Sequence, residues 1–231
     1  MSTRSLEYRD RWLCYLDLLG FKNLVRTDAV GRVIPLYDEV LQKLEVDAAP
    51  KKPLGLAYSW FSDTFIIFSR GDSPRDFTLV EQAGRLFFQR LILAEIPVRG
   101  ALTHGKLYSN LARNIFLGDA LIDAYEYGEK QQWLGFLLAP NVYEKLRGTQ
   151  LDVTRRLNYR RVAEVGVVTH PAPDNVYAYA FNNGVVNGQN PFLSAVRSMR
   201  ARAGEQHRQK YENTEHFILA HALTVSSDTA T

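Results

Sequence analysis

The chain has 231 residues, of which 46% are hydrophobic, enough for one large domain or one ordinary domain with an appendage. Its 28 Lys and Arg against 25 Asp and Glu leave a net charge of +3, which permits an anionic ligand and does not by itself argue for nucleic acid. Wholesale disorder is excluded, no apolar run approaches the roughly 18 residues a membrane span needs, and polar Met1 to Asp10 holds no signal core, so a cytoplasmic protein that touches no membrane is expected.

The first predicted element is a buried strand, Arg11 to Leu18, ending in the acid Asp17. It carries the chain's one cysteine, Cys14, so no internal disulfide forms, and the apolar run around it reads as a buried structural thiol. The five histidines show no metal-ligand spacing. Leu19-Gly20-Phe21 turns the chain into a two-part helix with Val33, Leu36, Tyr37, Val40, Leu41 and Leu44 at helical spacing, broken at Pro50 to Pro53. Two strands, Leu54 to Phe61 and Thr64 to Ser69, are separated only by Ser62-Asp63, a tight hairpin.

Ser73-Pro74 opens a long helix whose apolar face carries Leu79, Leu86, Phe87, Ile92 and Leu93. A fourth strand, Val98 to Thr103, is followed by a tight turn at Gly105, with Lys106 just after it and Leu107-Tyr108 returning. Gly118 to Tyr127 reads as a helix, Trp133 to Leu138 as a strand, and Asn141 as the cap of a short helix through Leu146. A terminal hairpin pairs Asn158 to Val168 with Val176 to Phe181; a polar linker leads to a basic helical segment from Pro191 to about Leu223. The order is α+β, a ferredoxin-like βαββαβ arrangement with helices on one face of an antiparallel sheet. Residues 1–181 form the expected main domain and 182–231 a linker and helical extension.

In this topology the first strand and the hairpin are neighbours, so Asp17 and Asp63 come to the same edge of the sheet. Two carboxylates on a rigid scaffold, with a backbone carbonyl beside one of them, suit Mg2+ or Mn2+, and two ions could activate a hydroxyl and neutralise a triphosphate. The alternative is a helix cap at Asp17 and plain turn chemistry at Asp63. Backbone N–H groups at Leu19, Gly20 and Phe21, opening the helix, could hold phosphate oxygens. Lys106 could add a point charge, or be a solvated turn lysine.

Four segments carry a resemblance: Tyr15-Leu-Asp17-Leu-Leu-Gly-Phe21, Phe61-Ser-Asp63-Thr-Phe, Val98-Arg-Gly-Ala-Leu-Thr-His-Gly105-Lys106 and Gly118-Asp-Ala-Leu-Ile-Asp-Ala-Tyr125-Glu. Over about Arg11 to Phe181 the chain resembles the class III nucleotidyl cyclases, most closely the bacterial pyrimidine cyclases of the Pycsar antiphage systems. The resemblance implies two divalent ions per site held by Asp17, Asp63 and the Leu18 carbonyl, and a phosphate contact at Lys106. It also implies a homodimer with shared sites, in which Tyr58 faces the base where purine enzymes favour lysine. Alternation puts Tyr58 on one face with Trp60, so a core aromatic is the other reading. Arg99 is expected as a dimer-face charge or a salt-bridge partner. Ile115 falls near the purine enzymes' base-reading aspartate, and the Gly118 helix offers Asp119, Asp123, Tyr125 and Glu126 with no arginine.

The activity so implied is cyclisation of UTP to 3′,5′-cyclic UMP, a second messenger that activates a partner effector in phage defence. The alternatives are cyclic CMP from CTP, or a nucleotide-binding module without turnover. A diguanylate-type enzyme is disfavoured because Phe61-Ser-Asp-Thr-Phe65 stands at the place of its signature. In the tail, Glu205, Glu212 and Glu215 dilute Arg197, Arg200, Arg202, Arg208 and Lys210, so the expectation is a helix on the partner subunit and no nucleic acid.

Overall fold

Ten residues, Arg9–Leu18, form the central strand β1, and all but the first two are buried. The computed structural model describes residues 8–27, 29–36, 38–39, 42, 56–154, 157–164, 175–182, 185 and 188–222. After β1 come α1 (Phe21–Arg26), a short 3-10 turn at Ala29–Arg32 and helical residues at 33–36, 38–39 and 42. The hairpin strands β2 (Leu56–Phe61) and β3 (Thr64–Ser69) lead to α2 (Pro74–Leu93), β4 (Val98–Asn110), β5 (Ile115–Leu117) and α3 (Asp119–Glu129). Then follow β6 (Phe136–Leu138), α4 (Pro140–Leu146), β7 (Tyr159–Arg161), β8 (Tyr177–Tyr179), α5 (Pro191–Arg202) and α6 (Glu205–Ala222).

The sheet runs β2-β3-β1-β4-β6-β8-β7, with β5 on β4. Every pairing is antiparallel except β4 with β6. The first four strands are the expected ferredoxin-like unit, and the α+β reading holds. Period-two alternation divides β1 between two cores. Trp12, Cys14 and Leu16 pack with Phe77, Val80 and Phe87 of α2. Leu13 and Tyr15 face the other way, with Ile66, Phe68 and Ala120 and Ala124 of α3. Gly84 lets α2 approach β1: a Cβ there would lie 2.4 Å from the Cys14 sulfur. Cys14 is fully buried, and burial pushes its thiol pKa up, so it is an inert structural thiol.

Several local expectations are corrected. The long helix starts at Pro74 behind a Ser73/Asp76 capping box, but Leu93 is exposed; the buried face runs through Phe77, Val80, Ala83, Phe88, Leu91 and Ile92. β4 does not turn at Gly105. It continues through Lys106 to Asn110, because Gly105 packs against the backbone of Ala120 instead of reversing the chain. The reversal comes later, with Asn114 left-handed at φ 52°. Asn141 lies inside α4, one residue after Pro140, and its amide bridges Asp123 and the His104 N–H. The strand at Trp133 shortens to Phe136–Leu138. The expected strand segment 165–168, the Pro50 to Pro53 break, the predicted strand start at Leu54, and Tyr37, Val40, Leu41 and Leu44 lie outside the described residues.

The C-terminal segment is two helices, broken at Ala203-Gly204, and α6 docks on its own chain. Phe217 is fully buried against Trp133 with ring centroids 4.6 Å apart. Thr214 accepts the Leu134 N–H at 2.8 Å, and Glu215 pairs with Arg197 and Arg200 of α5 at 2.6 and 2.7 Å. The helical extension therefore shares the core of residues 1–181. Among the described residues no helix is long and apolar enough to cross a membrane.

Candidate active site

β1 delivers Asp17 to the end of the sheet, opposite Thr64 of β3 and Arg99 of β4. The hairpin turn at Ser62-Asp63 meets it there: the Leu18 N–H donates to the Asp63 carbonyl at 2.9 Å. The tight turn is made possible by Ser62 in the left-handed region at φ 57°. Asp17 and Asp63 are thus brought together, with the Leu18 backbone between them. Asp17 is 7% exposed. Burial raises its carboxyl pKa; Arg99 opposes that, and the charges of Asp63 and Glu129 add to it.

Arg99 is the residue whose importance sequence reasoning undervalued. Its Nε donates to Asp17 Oδ2 at 2.8 Å and a terminal nitrogen donates to the Gln131 carbonyl at 3.1 Å. Gln131, just past α3, is itself fixed by donating to the Gly100 carbonyl at 2.9 Å. Arg99 is a salt-bridge partner, then, clamped beside the first acid. Glu129, at the end of α3, has a buried Oε2 without a hydrogen-bond partner near this group.

The donors fit a hard divalent cation in kind: two carboxylates and a backbone carbonyl, in negative potential that Glu129 deepens. Among the described residues no three His, Cys, Asp or Glu side chains form a closed metal cage, so water and phosphate oxygens would complete the shell of a cation held here.

The other expected residues divide. The Leu19 N–H already donates to the Pro97 carbonyl at 2.8 Å, so it is not free for phosphate. Gly20 sits at φ 70° with open space above it, and Phe21 begins α1. Lys106 pairs with Asp10, seven residues along β1 from Asp17, a run of about 23 Å. Asp123 accepts from Asn141 at 2.9 Å and belongs to that end too; burial raises its pKa.

Tyr58 shares the α2 face of β2 with Trp60 and pairs with Ile67. The opposite face of β2 presents Ser59 and Phe61 to a cleft of about 570 Å³ under α3, with Tyr15, Asn114, Phe116 and Tyr125. Ser59 Oγ donates to Asn114 Oδ1 at 3.2 Å. Neither was singled out from sequence. Alternation with Phe61 could have placed Ser59 on this face; Asn114 carried no signal beyond its turn chemistry. Apolar side chains rim the cleft: Phe61 is 75% exposed and Ile122 59%.

No family model matches the sequence, and no curated protein matches it. Solved structures do match. One is the non-canonical dimeric guanylyl cyclase domain of the RhoGC fusion protein from the aquatic fungus Blastocladiella emersonii, at TM-score 0.51 and 11% identity over 74% of this chain and 93% of that one. That is a class III cyclase fold. Another is an adenylate/guanylate cyclase/hydrolase from Silicibacter pomeroyi, at TM-score 0.49 and 15% identity over 75% of this chain and 97% of that one.

Proposed function

We propose that the protein is a metal-dependent nucleotidyl cyclase acting as a homodimer. The observation that carries this is the pairing of Asp17, at the end of β1, with Asp63, in the abutting hairpin, on a sheet of cyclase fold. Asp17, Asp63 and the Leu18 carbonyl would hold two Mg2+ or Mn2+ ions. Such ions supply Lewis acidity toward a ribose 3′-hydroxyl and neutralise triphosphate charge. Asp17 and Asp63 orient the reacting groups so that the 3′-oxygen attacks the α-phosphorus in line. The 3′-hydroxyl gives up its proton to solvent water, the 3′-oxygen to phosphorus bond forms, the α-phosphorus to bridging-oxygen bond breaks, and diphosphate leaves with its electron pair. Asp17 itself is largely withdrawn from water, where such electrostatics act strongly.

The substrate is UTP and the product cyclic UMP, with CTP the competing substrate. Tyr58, expected from the resemblance to meet the base, lies on the α2 face of β2, away from the cleft that Ser59 and Asn114 line, so the choice of base rests on the Ser59–Asn114 pair. With Asn114 Oδ1 occupied by Ser59, its amide nitrogen is left to donate, which suits the O4 acceptor of uracil better than the N4 amine of cytosine. The product would act on a separate effector in phage defence.

The test is incubation of the purified protein with each of the four nucleoside triphosphates and Mn2+, with products identified by mass. Cyclic UMP is expected, and the Asp17→Asn and Asp63→Asn variants should each lose about 100-fold or more. Cyclic AMP as the dominant product would overturn the base assignment. Full activity in both carboxamide variants would overturn the metal site.

A further inference from the structure

We propose that the C-terminal helix α6 completes an oligophosphate-binding cleft beside Asp17, with Lys210 as its innermost cation and Arg32 and His207 along its wall. This deepens the cyclase reading and rests on it for the identity of the phosphate donor.

The cleft holds about 340 Å³ between the Leu19-Gly20 turn, the 3-10 turn that carries Arg32 and the break between α5 and α6. Among the described residues its charge is one-sided: Arg32, Arg202, His207 and Lys210 line it against one acid, Glu95, and Glu95 is already paired with Arg202. Among the described residues neither Arg32 nor Lys210 has an ion-pair partner. Lys210 is half-buried, and burial with the charge of Arg99 lowers its pKa, while Asp17 and Glu129 oppose the shift.

A lysine that is partly desolvated, faces another cation and lacks a salt bridge is held at an energetic disadvantage. A polyanion in the cleft would remove it. α6 is rigid enough to present the charge: Thr214, one turn beyond Lys210, is fixed to Leu134, and Phe217 is buried. The location specifies the anion further. The cleft opens at the Leu19-Gly20 turn, which directly follows Asp17 and Leu18 in the chain, so a phosphate chain there would run from that turn out along Arg32 and His207. Gly20, left-handed with nothing above it, leaves the floor of the entrance open. A chain of two or three phosphates spans this; a single carboxylate or phosphate would satisfy one cation and leave the rest.

The probe is inorganic diphosphate with Mg2+, measured by calorimetry on the full-length protein, the Lys210→Gln and Lys210→Arg variants and, separately, Arg32→Gln. Each charge-removing variant should weaken binding roughly tenfold or more, while Lys210→Arg retains most of it. Equal binding by wild type and Lys210→Gln, or no binding by the wild type, overturns the cleft. The turnover assay on the same preparations separates the two claims. Diphosphate binding that depends on Lys210, without turnover of any triphosphate, sinks the cyclase reading and keeps the cleft. Turnover with an unchanged KM and unchanged diphosphate binding in Lys210→Gln sinks the cleft alone.

Discussion

Arg99 and Asp17 hold each other at the end of the sheet, and the arrangement has a cost on either side of the pair. Both are buried, so removing the guanidinium leaves a carboxylate that burial already disfavours. Arg99→Met should therefore lower unfolding stability by about 3 kcal/mol near pH 8, measured by urea denaturation without metal. The penalty should shrink as pH falls. The folded-state pKa of Asp17, raised further in the variant, lies above its unfolded value, so the loss grows as pH rises through that window and vanishes once the carboxyl is protonated in both states. Added Mn2+ should restore part of the stability. Across the sheet, Asn114 sits in a left-handed conformation that aspartate also tolerates. Asn114→Asp should accept from the N4 amine of cytosine and shift the CTP to UTP preference by about tenfold, read from kcat/KM for each. At this scale the acids were legible because strand ends and two-residue hairpins fix positions from sequence. The clamp on Asp17 was not, because it depends on register between β1 and β4, and the Gln131 contact comes from a loop after α3.

The elements were legible wherever period and punctuation agree. Ser73-Pro74 with Asp76 starts α2 where the capping box predicts, and Ser62-Asp63 closes the hairpin. They were misread where a glycine has a packing role. Gly105 looked like a turn, yet it keeps β4 straight under α3. The turn chemistry that the sequence left unread sits at Gly118, at φ 143°, where a Cβ would lie 2.2 Å from the Lys106 carbonyl oxygen. Gly118→Ala should cost about 2 kcal/mol or more in thermal or urea unfolding, since both the conformation and the space forbid a methyl group. The docking of α6 carries a pH sensitivity of its own. His221 is buried against Phe217, and burial with the charge of Arg160 lowers its pKa to about 4. The unfolded chain takes up the proton near pH 6.5, so stability present above that value is lost as pH falls toward 4. A melting temperature that falls over this window in the wild type should fall less in His221→Phe.

Two of the charged residues expected in the site sit at opposite ends of one ladder. Asp17 stands opposite Arg99, and Lys106 stands opposite Asp10, seven residues away along the same strand pair. A run of about 23 Å in rigid β-structure cannot be closed by side chains, so both cannot act on one triphosphate within one chain. A two-fold dimer removes the difficulty, because each subunit then offers its acid end to one site and its lysine end to the other. The apolar rim around Phe61 and Ile122 supplies a face that such a partner would cover. The expected consequence is complementation. Asp17→Asn chains and Lys106→Ala chains should each be weak alone. Mixed in equal amounts and allowed to exchange, half of the dimers are heterodimers, each with one intact site, so activity should return to about a quarter of the wild-type value. Specific activity should also fall on dilution as dimers dissociate, in step with the dimer fraction measured by sedimentation. Heterodimers confirmed by mass with no recovered activity would mean that Lys106 plays no part in the shared site.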